Sequence, residues 1–328
     1  MAEIIQRDGT WAFDGTTVRI TPGLHRSVPL FRQTYGEIAV PLEAVAGVVY
    51  EPERKRGRLR LRLREGADPL LQATGGRLPD PADPYRLAVD LDRVGVAEYV
   101  AEEIRQALLL DQIPKEPTEA YLLPGPPVPV SVRSSDGVVS FDGTRVRIDW
   151  ADTSDRVKRA TGPRIIGVRD LVRVEWLPNS GYEDGFLRFV TREAAFSKLP
   201  PEKDPYALDL WGSVRRDLLT ALVATAVTAR LPHPSAGRDD EGGETVRAGD
   251  RPSPDRTRTP DAPGTRDSAP GDRAAAQDRR WRARAYGDGH HDVLLRRLRE
   301  LGELHRDGVL TDEEFAMTKA VVLREFQG

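Results

Sequence analysis

Four aspartates recur at matching places in this chain, and paired carboxylates are common equipment for general acid–base catalysis. Asp8 and Asp14 frame Asp8-Gly9-Thr10-Trp11-Ala12-Phe13-Asp14-Gly15-Thr16; Asp136 and Asp142 frame Asp136-Gly137-Val138-Val139-Ser140-Phe141-Asp142-Gly143-Thr144. Aspartate before glycine is first of all a turn former, because its carboxylate bonds nearby backbone and glycine tolerates positive φ. Recurrence at equivalent corners favours that reading, and no catalytic residue is assigned. His290-His291 lies between Asp288 and Asp292, but adjacent side chains diverge and His25, His233 and His305 fall in unrelated segments, so no metal site is assigned. Cysteine is absent, which excludes disulfides, thiolate catalysis and zinc–cysteine sites. There is no glycine-rich phosphate loop, Gly-x-Ser-x-Gly or His-Glu-x-x-His. The chain reads as non-enzymatic and without a cofactor.

A different chemistry is offered by residues 54–64. Arg58, Arg60, Arg62 and Arg64 alternate with leucines, and Arg54, Lys55 and Arg56 precede them. A strand of period two would place the guanidinium groups in one row, able to hold phosphates of a lipid headgroup or a nucleic acid backbone. The competing explanation is a solvated outer face that discourages edge-to-edge strand pairing or meets acids on a neighbouring strand. The net charge of −3 argues against attraction of the whole chain to polyanions but leaves a local patch open.

The elements that would position these residues form a duplicated series. Trp11/Phe13 and Val18/Ile20 alternate with polar residues about an Asp-Gly turn, as do Val139/Phe141 and Val146/Ile148, so each copy predicts a β-hairpin. After a loop-like stretch over 21–36, short strands are predicted at 38–42, 47–50, 57–64 and 87–89, then a helix over Val94–Leu110 whose Val96, Tyr99, Val100, Ile104, Ala107 and Leu108 share helical spacing. The second series answers it. Gly185-Phe186-Leu187-Arg188-Phe189 stands for Gly57-Arg58-Leu59-Arg60-Leu61, Asp204-Pro205-Tyr206 for Asp83-Pro84-Tyr85, and 214–231 for the closing helix. A spacing above one hundred residues indicates tandem domains rather than a solenoid. Several short strands plus one helix describe a curved antiparallel sheet or partial barrel with a helix over one opening.

This pattern, with both Phe-Asp-Gly-Thr turns and both Asp-Pro-Tyr strands, resembles the actinobacterial family called domain of unknown function 4429. The resemblance implies a tandem pair of pleckstrin-homology-like modules and no known reaction. The expected class is α+β, with modules over 5–112 and 133–232 joined by a proline-rich connector over 113–132.

From Pro232 the composition turns to Asp, Arg, Gly, Pro, Ser and Thr without period, which predicts a disordered linker over 233–289. Residues 290–328 predict a helical hairpin. Leu294, Leu295, Leu298, Leu301 and Leu304 form one apolar face; Thr311 and Glu314 make a capping box; Phe315, Ala320, Leu323 and Phe326 share the second helix's apolar side. Gly308-Val309-Leu310-Thr311-Asp312-Glu313-Glu314-Phe315 resembles the short C-terminal domain called SHOCT, although Met317-Thr318-Lys319 departs from the lysine pair frequent in that family. Such short helices are marginal alone, so these nine apolar residues are an expected interaction face for self-association or a protein partner.

The start of the chain has no basic and apolar leader, and the longest apolar run, 218–229, is too short to cross a bilayer. The expected protein is cytoplasmic, free or peripheral to the membrane. Its expected role is an interaction scaffold with a tethered docking hairpin; the alternative is a peripheral binder of phospholipid headgroups or nucleic acid through the arginine strand.

Overall fold

The computed structural model of the chain describes residues 1–193 and 199–237, together with Ala316 and Lys319, which are helical and exposed. Residues 1–193 and 199–237 belong to one compact unit, which is α+β and holds both series.

In the first module β1 (Ala2–Gln6), β2 (Gly9–Phe13), β3 (Thr17–Pro22) and β4 (Ile38–Pro41) make an antiparallel sheet in sequence order, with α1 (Leu30–Tyr35) between β3 and β4. A second antiparallel sheet follows, from β5 (Val45–Glu51), β6 (Gly57–Leu63) and β7 (Arg86–Val89), with α2 (Pro69–Thr74) between β6 and β7. The helix α3 (Val94–Leu110) closes the module, burying Ala97, Val100, Ala101 and Ile104 against β5 and β1. The second module repeats the order. Its four-stranded sheet is β8 (Val130–Arg133), β9 (Gly137–Phe141), β10 (Arg145–Trp150) and β11 (Arg164–Gly167), with α4 (Arg156–Ala160) before β11. Its three-stranded sheet is β12 (Leu171–Leu177), β13 (Gly185–Thr191) and β14 (Ala207–Leu210), followed by α5 (Val214–Asp217) and α6 (Thr220–Thr228).

The duplicated hairpins pair in the same register. Phe13 faces Val18 and Trp11 faces Ile20; Phe141 faces Val146 and Val139 faces Ile148. All eight are buried, as alternation about the Asp-Gly turn requires. Gly15 and Gly143 adopt φ of 106° and 104°, a conformation that strains any residue with a Cβ.

Several elements differ from the sequence expectation. Both modules open with a strand, β1 or β8, that lies outside the predicted series; β8 forms the end of the expected connector. The loop-like stretch over 21–36 contains α1. The predicted second closing helix is broken between Asp217 and Thr220, where the Thr220 hydroxyl donates to the Asp217 carbonyl and accepts from the Trp176 indole. The expected linker does not begin at residue 233. His233 is hydrogen-bonded to the Gly66 carbonyl at 3.0 Å and lies edge-on to Tyr121, and Ser235 donates to the Glu119 carbonyl.

The two modules share one hydrophobic core. α2 of the first module packs against α6 and β12 of the second, and the connector is drawn in beside it: the backbone N–H groups of Leu122 and Leu123 donate to the Ala67 carbonyl. Every residue of α6 is buried, consistent with a helix that carries no charge on any side.

Candidate functional site

The four repeated aspartates divide into two kinds. Asp14 and Asp142 close the hairpin turns: Asp14 accepts from the backbone N–H groups of Thr16 and Thr17, and Asp142 from those of Thr144 and Arg145. These bonds hold both carboxyls below the usual carboxylate range, first through Thr16 and Thr144 respectively. They are the turn formers that the sequence predicts.

Asp8 and Asp136 also sit at turns, between β1 and β2 and between β8 and β9, but their carboxylates point inwards and tie the two sheets of each module together. Asp8 accepts from the N–H of Ala88 on β7 at 3.2 Å; Asp136 accepts from the N–H of Asp209 on β14 at 2.9 Å. Each meets a buried cation from the helix preceding the fourth strand. Lys158 of α4 is fully buried and its Nζ lies 2.5 Å from Asp136 Oδ2 and 5.0 Å from the Trp150 ring. Arg32 of α1 is 4% exposed and reaches Asp8 at 3.5 Å, leaving its Nε and Nη2 and the Asp8 Oδ1 buried without hydrogen-bond partners. The Asp136–Lys158 pair is withdrawn from solvent and Asp8 is partly exposed; each carboxylate is bonded to the backbone of the other sheet and to a buried cation, which makes both pairs braces.

Asp68 and Asp217 are also buried. Asp68 caps α2, accepting from the N–H groups of Leu70 and Leu71 and from the Tyr85 hydroxyl at 2.8 Å; burial pushes it up to about 6 despite those bonds. Asp217, at the end of α5, is likewise pushed by burial up to about 6, against a hydrogen bond from Asn179. The sequence signal for α2 is Asp68-Pro69, an N-cap followed by proline at the first helical position.

The arginine row exists and is partly engaged in local contacts. Leu59 and Leu61 point into the core, so Arg58, Arg60 and Arg62 share the outer face of β6. Arg58 pairs with Glu53 at 2.6 Å, Arg56 with Asp90 at 2.8 Å, and Arg64 donates to the carbonyls of Glu116 and Glu43. Arg54, Lys55, Arg60 and Arg62 have no ion-pair partner among the described residues. In the second module the places of Arg58, Arg60 and Arg62 are taken by Phe186, Arg188 and Val190, and Arg188 is bonded to Asp204 at 2.9 Å.

The expected interaction face of Leu294, Leu295, Leu298, Leu301, Leu304, Phe315, Ala320, Leu323 and Phe326 lies outside the described residues, as does His290-His291. Among the described residues no helix is long and apolar enough to cross a membrane, and no group of three or more His, Cys, Asp or Glu is placed to hold a metal ion.

A surface that sequence reasoning missed is the outer side of α3. Tyr50 of β5 and Gly95, Glu98, Tyr99, Glu102 and Arg105 of α3 wall an open groove of about 620 Å3. Tyr50 lies over Gly57, where any Cβ would collide with its ring. Arg105 reaches the Val48 carbonyl at 3.3 Å and Glu102 at 3.2 Å. The signal available in the sequence is the contrast between a charged closing helix, 94–110, and an uncharged apolar run, 218–229.

No curated protein matches the chain. The family model described as domain of unknown function (DUF4429) matches it twice, over residues 11–105 and 139–228, running in each module from within the second strand to the closing helix. More than half of the chain is matched, in two segments that coincide with the duplicated series, and the chain therefore belongs to the DUF4429 family as a tandem member.

Proposed function

We propose that this chain is a non-enzymatic interaction scaffold: two pleckstrin-homology-like modules fused into one platform, with a SHOCT-like hairpin at 290–328 for self-association or partner docking. The pleckstrin-homology-like reading is supported by the four-stranded and three-stranded antiparallel sheets and terminal helix of each module. The observation that carries the scaffold reading is the joint between modules. Burying α2 against α6 and β12 in one continuous core fixes the outward surfaces of both modules in a single geometry, which suits presentation of partners better than independent action of each module. Light scattering of the full chain against a chain lacking 290–328 tests it: the truncated form is expected to drop to a smaller assembly or lose a co-purifying partner. Unchanged mass and unchanged partner recovery would overturn the scaffold reading.

Peripheral anion binding is the second reading, favoured by Arg60 and Arg62, which with Arg54 and Lys55 have no ion-pair partner among the described residues. Substituting Arg60 and Arg62 by Ala is expected to weaken binding to anionic liposomes or nucleic acid, with the salt slope falling by about 1 for each phosphate that is no longer held. Binding that keeps its salt dependence in that variant excludes the arginine row.

A further inference from the structure

The two closing helices occupy equivalent places but meet different surroundings. α6 lies on β8, β9 and β12 with its inner side, and its outer side receives α2. Gly125 of the connector comes against Thr225 and Ala229 there, and Trp176 of β12, the counterpart of Tyr50, is buried beneath. In the first module the corresponding place, between α3 and β5, is open among the described residues. Tyr99 is 54% exposed, and β5 is an edge strand paired only with β6.

We propose that the α3–β5 groove is a docking site for a short helix of a partner protein, bearing leucine-sized side chains on one face and an arginine or lysine at its edge. This rests on the scaffold reading and names the chemistry of the partner. The shape of the occupant is argued from the filled counterpart: α2 is a six-residue helix that buries Leu70, Ala73 and Thr74, at i, i+3 and i+4, and seats against α6 and β12. A helix laid in a groove uses the same spacing of anchors. The rings of Tyr50 and Tyr99 supply apolar surface for such side chains and a face for a guanidinium group.

The charge of the occupant follows from what differs between the two helices. α6 has no charged residue, and the helix it receives is neutral over its own length. α3 instead carries Glu98 and Glu102 at the groove, one helical turn apart and roughly 6 Å along the axis, so a single cation can approach both. Arg105 offsets Glu102 but is held back on the Val48 carbonyl, and Glu98 has no ion-pair partner among the described residues. A basic edge on the incoming helix complements this pair, whereas an acidic one is repelled.

Selection of helical peptides of about 16 residues from a random display library on the full-length chain tests the inference, that length being enough to hold a helix once docked. Enriched peptides are expected to combine Leu, Ile or Met at helical spacing with Arg or Lys. Fluorescence anisotropy is expected to show at least tenfold weaker binding to Tyr99→Asp. The double variant Glu98→Arg, Glu102→Arg is expected to prefer peptides with acids in place of the basic residues. All three side chains are exposed, so unchanged melting temperatures of the variants accompany these results. No enrichment, enrichment of acidic peptides by the parent chain, or affinities indifferent to both variants overturns the inference. The scaffold reading is tested separately by removal of 290–328, which leaves α3 intact.

Discussion

The two modules repeat one plan and differ in how tightly it is closed. In the second, Lys158 sits 2.5 Å from Asp136, every residue of α6 is buried, and the strand arginine Arg188 is neutralised by Asp204. In the first, Arg32 stands 3.5 Å from Asp8 with two nitrogens unpartnered, α3 keeps a charged outer side, and Arg60 and Arg62 lack ion-pair partners among the described residues. Duplication gave both copies the same braces and layers. The second copy is packed on a further side by the first copy's α2, while the first retains exposed surface. The contrast is one of packing: the second copy's closing helix is enclosed, and the first copy's keeps an exposed, charged side.

The largest effect is expected at the braces. Lys158→Met leaves the Asp136 carboxylate buried without its cation and is expected to cost about 3–5 kcal/mol. Arg32→Met is expected to cost less, about 1–2 kcal/mol, because Asp8 is partly exposed and the substitution also removes two unpartnered buried donors. Denaturant unfolding of both variants checks the order; equal losses would break the comparison.

Next comes the joint. Leu70→Ala in α2 opens a cavity where the modules share their core and is expected to cost about 2–5 kcal/mol. Tyr99→Ala on the open face of α3 is expected to stay within about 0.5 kcal/mol of the parent. A large loss in both would mean that the outer side of α3 is already covered, which thermal denaturation would reveal.

A further effect is expected on pH dependence, and it sets Asp68 of the first module beside Asp217 of the second. Burial raises both from 3.8 to about 6, so folding favours their protonated forms. The stability each contributes is whole below the unfolded value and is lost as pH rises through about 6. Asp68→Asn keeps an oxygen to cap α2 and is expected to flatten the stability profile between about pH 4 and 6, with Asp217→Asn flattening the remainder. Unfolding midpoints measured across that window decide it; a variant with the parent's slope shows that its carboxyl is not the source.

Much of this architecture is legible in the sequence because it rests on local periodicity. Alternation about Phe13-Asp14-Gly15-Thr16 and Phe141-Asp142-Gly143-Thr144 gives hairpins, and the structure pairs them in identical register. β1 escapes such a reading because Ile4 and Ile5 are adjacent; only pairing with β2 sends Ile4 into the core and leaves Ile5 65% exposed. α2 escapes it for its shortness, although Asp68-Pro69 marks its start. The length of the run 218–229 says only that it does not span a bilayer, whereas its uniform lack of charge is the sign of a helix covered on both sides.

What the amino-acid order determined by itself is the repeat: two copies of the same strands, turns and closing helix, in a chain that carries no cysteine. Those follow from spacings of two to four residues, which neighbouring backbone geometry reads directly. Only the tertiary structure decided which repeated aspartates are inward-pointing braces and which are solvated turns, since that depends on Arg32 and Lys158 arriving from separate helices. It also decided that α6 is covered on both sides and that the outer side of α3 is left open among the described residues. That difference arises because α2, some 150 residues earlier in the chain, folds over one closing helix and cannot at the same time cover the other.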